Sequence, residues 1–141
     1  MGRRRFWWAA GAALVALGGV ALPSEAAVTT VDGCVASVPE PGSPEPVSIC
    51  YTLFRPDGAD AANPVPLIFH SHGWGGSRTT DPGAFEKWTE AGFGVLSFDQ
   101  RGFGASGGKA HVENPEIEGY DVEKLADLVA AEPWVAKEAG D

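Results

Sequence analysis

Cysteine is scarce: Cys34 and Cys50 are the only two in 141 residues, and they lack the close paired spacing that structural zinc sites use. Positive charge is scarce as well. Ten lysines and arginines face nineteen aspartates and glutamates, a surface that repels phosphate backbones and excludes nucleic acid as a partner. Beyond one stretch near the N-terminus there is no long apolar run, and no internal repeat or low-complexity tract occurs. Histidine is limited to His70, His72 and His111. What is there, 44% hydrophobic and 21% charged residues, is the composition of a chain that packs a core.

The one long apolar stretch, Phe6 to Leu22, follows Arg3, Arg4 and Arg5 and ends near Ser24-Glu25-Ala26. A basic start, an apolar middle and small residues at the end predict a signal peptide over residues 1–26, leaving a secreted mature chain, residues 27–141, with no stable membrane anchor. An uncleaved anchor is the alternative, because the stretch approaches a bilayer span; Gly11, Gly18, Gly19 and Pro23 favour cleavage. Arg3 to Trp7 also resembles the twin-arginine export pattern. Removing three arginines and Glu25 leaves 7 basic against 18 acidic residues, a balance of −11. In an oxidising space Cys34 and Cys50 are expected to form a disulfide, with two separate thiols on a strand pair as the alternative.

Pro39 to Pro46 alternates proline with polar residues and cannot supply the N–H donors of a sheet, so it reads as a loop between two strands. The first strand falls near Val28 to Val38. The second, Val47 to Phe54, is β-branched and aromatic and ends at the turn signal Arg55-Pro56-Asp57-Gly58. Val65 to His70 is nearly all apolar, as a strand buried on both faces of a parallel sheet would be. Asp81-Pro82 predicts an N-cap followed by proline in the first turn, with Phe85 and Trp88 on one helix face and Gly92 ending it. A further apolar run, Phe93 to Phe98, completes a βαβ unit. Asp99 to Gly119 has no steady period and reads as a long loop. Tyr120 to Glu132 returns to helical spacing, with Val122, Leu125, Leu128 and Val129 on one stripe and Pro133 as the stop. Another strand is then expected to begin just beyond Asp141.

Two loops stand where open α/β sheets place their ligands, at the carboxyl ends of neighbouring parallel strands. One is His72-Gly73-Trp74-Gly75-Gly76, whose glycines allow a sharp turn that exposes a backbone N–H, as an oxyanion hole requires. The other runs Asp99-Gln100-Arg101-Gly102-Phe103-Gly104-Ala105-Ser106. This pair, with a βαβ unit between, resembles the α/β-hydrolase superfamily. Together with Tyr51 to Pro56, the order is similar to the X-prolyl dipeptidyl peptidase and cocaine-esterase-like acyl hydrolases, over roughly Asp32 to Asp141.

The resemblance implies an α/β fold, the N-terminal half of a hydrolase sheet with a mixed sheet and a parallel βαβ core, broken off before the nucleophile strand. It implies an exported serine hydrolase acting on a small-molecule ester or peptide through an acyl-enzyme, without cofactor or metal. Gly73 would shape the oxyanion loop and Trp74 would donate its backbone N–H. Nucleophile, acid and base follow in the order Ser, Asp or Glu, His, and all three fall outside these residues, so the chain alone is expected to be an inactive fragment. Gly104-Ala105-Ser106-Gly107-Gly108 fits Gly-x-Ser-x-Gly, yet Ser106 lies about eight residues past its strand with no helix opening behind it, so it is not read as a nucleophile.

Other classes fit less well. Gly102 to Gly107 fits a dinucleotide pattern, but Asn114-Pro115 precedes the next helix, and Lys109-Ala110 fails the P-loop pattern. His70 and His72, taken to share one side of a strand, have no third metal ligand nearby. His111 reads as a surface or cleft residue. Asp99 is expected to hold its turn through backbone N–H groups, with Arg101 packing or pairing beside it. A non-catalytic secreted binding module with the same half-sheet remains the alternative from another class.

Overall fold

The computed structural model describes residues 27–138; the expected signal peptide, residues 1–26, lies outside them. Strand β1 (Val28–Ser37) turns through the proline-rich segment into β2 (Val47–Pro56). The two pair antiparallel with Cys34 directly opposite Cys50, and the two cysteines are joined in a disulfide. The separate-thiol alternative is therefore set aside. Strand β3 (Leu67–His70) leads through a 3-10 turn, Pro82–Phe85, and the short helix α1 (Glu86–Glu90) to β4 (Gly94–Phe98). The sheet order is β1-β2-β4-β3, with β4 antiparallel to β2 and parallel to β3. This is the mixed sheet with a parallel βαβ unit that the sequence predicts.

Period-two alternation along the central strands divides the core between the two faces. Leu96 and Phe98 of β4 join Ile49, Tyr51 and Leu53 of β2 and meet Leu125 and Val129 of helix α2 (Tyr120–Ala130), with Trp134 beyond them. Val95 and Phe54 face the other way and pack on Phe85. One helical segment thus covers each face, and all five residues of β4 are buried. Among the described residues no helix is long and apolar enough to cross a membrane.

Three expectations change. Strand β3 is not buried on both faces: among the described residues it has only β4 beside it over its length, and Phe69 is 40% exposed. On α2 the stripe is rotated. Leu125 and Val129 are buried and Leu128 is half-buried, but Val122 is 45% exposed, while Asp121 turns inward to meet Arg101. Residues 115–119 are already helical, wound as a wide turn capped by Asn114, so the long loop ends sooner than its lack of period suggests. Near the C-terminal end of the described residues the chain also touches the sheet once more. Val65 donates its N–H to Trp134 O (2.9 Å) and accepts from Ala136 N–H (2.8 Å), a parallel rung between Val65 and Val135.

Candidate active site

The loops after β3 and β4 are fastened to each other. His72 Nδ1 lies 2.9 Å from Gly73 O, and its Nε2 lies 3.2 Å from Gln100 N. A carbonyl can only accept and a backbone N–H can only donate, so the tautomer carrying its proton on Nδ1 satisfies both contacts. The Gln100 amide donates to Ser71 Oγ (3.0 Å) and His72 O (3.1 Å), and Ser71 Oγ donates to Phe98 O (3.4 Å). Gln100 therefore stitches one strand end to the other.

Beyond His72 the backbone reverses within four residues. Gly76 N–H donates to Gly73 O at 2.9 Å, and Gly75 at the third position has φ +77. That is the position of a type II turn that favours glycine. Trp74 occupies the second position, its N–H meeting no acceptor among the described residues and its side chain 76% exposed. Its indole stands edge-on to Phe103, with ring centroids 5.1 Å apart. Gly73 and Trp74 are thus at the turn, on the strand edge where the sequence places them.

Asp99, buried at the end of β4, organises the second loop. It accepts from the N–H groups of Arg78 and Ala105 and from the Arg78 guanidinium. Burial alone pushes its carboxyl up, but those N–H groups and the guanidinium outweigh it and hold the carboxyl below its ordinary value. Gly104, at φ +54, packs its Cα against this carboxylate where no side chain would fit.

Arg101 is fully buried and ties three segments together. It grips Asp121 with two nitrogens (2.9 and 2.7 Å), Glu40 Oε1 (3.2 Å) and Val38 O (2.8 Å). The Asp121 hydrogen bonds raise the guanidinium above its ordinary value against the opposing effect of burial. Glu40 also accepts from His111 Nε2 (2.6 Å) and Lys109 N–H (2.9 Å). The His111 bond, with Lys109 and Arg101 behind it, takes the Glu40 carboxyl down to about 2.

The other singled-out residues separate. Ser106 is not at a strand-to-helix elbow: its Oγ donates to Asp99 O (2.8 Å) and accepts from Cys50 N–H (2.8 Å), which makes it a brace between β2 and the loop. His70 and His72 do not share a side. His70 packs edge-on against Phe85 and lies 3.2 Å from Ser97 Oγ, whereas His72, beyond the end of β3, packs against Phe103. Sequence reasoning missed Arg78, Gln100, Glu40, Glu118 and Asp121, whose partners lie far off in the chain or inside the aperiodic loop.

Residues 45–140 match the family described as X-Pro dipeptidyl-peptidase (S15 family). The chain belongs to that family. Its fold is a partial α/β-hydrolase fold, and its family is one of hydrolases. A hypothetical protein PA2218 from Pseudomonas aeruginosa is similar over 79% of the chain, with 23% identity and a TM-score of 0.58. DcsB, in complex with its substrate analogue, is similar over 74%, with 18% identity and a TM-score of 0.51. The chain spans 33% of the length of each. No curated protein matches.

Proposed function

We propose that this S15 chain is the opening segment of an exported serine hydrolase that cleaves an ester or peptide bond of a small-molecule substrate through an acyl-enzyme. In this reading Trp74 N–H is one oxyanion donor and Gly73 allows its turn. The nucleophile, acid and histidine come from sequence beyond these residues. The supporting observation is the parallel rung at Val65 and Val135. A strand entering on that side of β3 would run parallel to it and end at the same edge of the sheet as β3 does. The turn after such a strand would then face the Trp74 loop, the relation that a nucleophile elbow and its oxyanion donor need. The disulfide and the basic, apolar leader support export.

Fluorophosphonate labelling with peptide mapping tests this reading. Residues 27–141 alone should take up no probe and hydrolyse no p-nitrophenyl acetate, since both need an activated serine. A polypeptide extended by the next coding sequence should be labelled on a serine within Gly-x-Ser-x-Gly. An adduct on Ser106, or no labelling of the extended protein, would refute the proposal; the second result would favour the non-catalytic binding module.

A further inference from the structure

Beside the Trp74 loop lies a cavity of ≈ 350 Å³, within the size range of small-molecule sites. Its apolar walls are Phe98 at the end of β4, Phe103 and Val112 from the following loop, Val122 from α2, and the Trp74 ring. Trp74, Val112 (66% exposed) and Val122 open onto solvent and form an apolar rim.

The charges around the cavity are unevenly committed. Arg101, the one cation lining it among the described residues, spends its guanidinium on Asp121 and Glu40. Glu118 is turned onto backbone, accepting from the N–H groups of His111, Val112 (3.0 Å) and Asn114 (2.8 Å). That clamp holds Val112 and Glu113 at φ 57 and 60, a left-handed conformation that a β-branched residue adopts only when its surroundings impose it. Val112 is thereby fixed at the rim, with Glu113 beside it as an exposed carboxylate. The cavity offers an entering group aromatic and aliphatic surface, no uncommitted cation, and carboxylates nearby.

We propose that this cavity is a specificity subsite that takes an uncharged aromatic or branched aliphatic group and rejects carboxylates. Its role toward a substrate rests on the hydrolase reading, because Trp74 would serve as oxyanion donor through its backbone and as cavity wall through its ring. The ligand preference stands independently of turnover. A carboxylate entering here loses water and meets no uncommitted cation among the described residues to replace it.

Two probes with one skeleton and different charge test this: 4-phenylbutanamide and 4-phenylbutanoate, titrated at neutral pH into the ¹⁵N-labelled chain. The amide should shift the Trp74 indole signal and the Val112 and Val122 backbone signals, and the carboxylate should bind at least about tenfold more weakly. Val122→Trp fills the opening from an exposed helix position and should weaken the amide by about tenfold or more. Glu113→Lys leaves the volume intact and should narrow the gap between the probes. Equal binding of both probes, shifts confined to other residues, or an unchanged affinity in folded Val122→Trp would overturn the subsite. If the probes are discriminated but the extended protein proves inert to fluorophosphonate, the cavity stands and its substrate role falls.

Discussion

Arg101 offers the sharpest test of how the site-bearing loop is held. Its side chain is fully buried and makes four hydrogen bonds, two to Asp121, one to Glu40 and one to Val38 O. Arg101→Met removes the cation and leaves the Asp121 carboxylate, 3% exposed, without a counter-charge. Breaking a buried pair from one side costs about 3–5 kcal/mol, a large share of the roughly 5–15 kcal/mol that holds a domain together. Glu40 suffers less, because His111 and Lys109 still serve it. Arg101→Met with Asp121→Leu should therefore recover most of the loss, ending within about 2 kcal/mol of the parent, since an apolar pair replaces an ionic one at little cost. Arg101→Lys keeps the charge but cannot fork across both carboxylate oxygens and reach Val38 as well, and should fall between. Urea unfolding at pH 7, followed by circular dichroism, gives the four values of the cycle. A loss below about 1 kcal/mol in Arg101→Met, or a double variant no better than the single, would refute the buried-pair account.

Alkylation and intact mass should find no free thiol in the protein purified under non-reducing conditions and two after reduction, and reduction should cost about 3 kcal/mol on the chain-entropy view. Glu118→Gln presents an NH2 group where a carboxylate oxygen now accepts backbone N–H, so hydrogen exchange at His111, Val112 and Asn114 should speed up by roughly five- to tenfold, about 1 kcal/mol; unchanged exchange would dismiss the clamp. Asp99, Glu118 and Glu40 all have carboxyls lowered in the folded chain, Glu40 to about 2. Their contribution is complete above the unfolded values of about 4 and is lost as pH falls through the folded ones. Urea midpoints should thus hold level down to about pH 4 and decline below it, and Asp99→Asn should flatten that decline.

The strands were legible because period and residue type agree: β2 is β-branched and aromatic between turn signals, and β4 is a short apolar run. The Asp81 cap was legible because it is local, its carboxylate accepting from Gly83 N–H two residues on. Asp99 does hold its own turn as the sequence suggests, but the cation paired with it is Arg78, while Arg101 turns to Asp121 and Glu40. The rest depends on pairs far apart in the chain. Glu40 sits in a proline-rich loop that reads as solvent-facing, yet meets an arginine 61 residues later and a histidine 71 residues later. Asp121 looks like the polar face of α2 until Arg101 is placed beside it, and that pairing turns Val122 outward. His70 and His72 would share one side only if the strand ran on past His70; it ends there, and the turn rotates His72 toward the neighbouring loop.

The most direct test of the central claim is the turnover rate of Trp74→Pro beside Trp74→Phe in the extended, labelling-competent protein. Phenylalanine keeps both the amide and an aromatic wall and should retain most activity. Proline deletes the N–H together with the ring, and once melting curves show the variant folded, its kcat should fall by roughly a hundred- to a thousandfold, the loss typical of one oxyanion donor. The fall in kcat, rather than any weaker binding of an unreactive analogue that follows from the lost ring, reports the N–H, because that hydrogen bond belongs to the transition state. A folded Trp74→Pro enzyme with near-normal kcat would contradict the account and place the donor outside this loop.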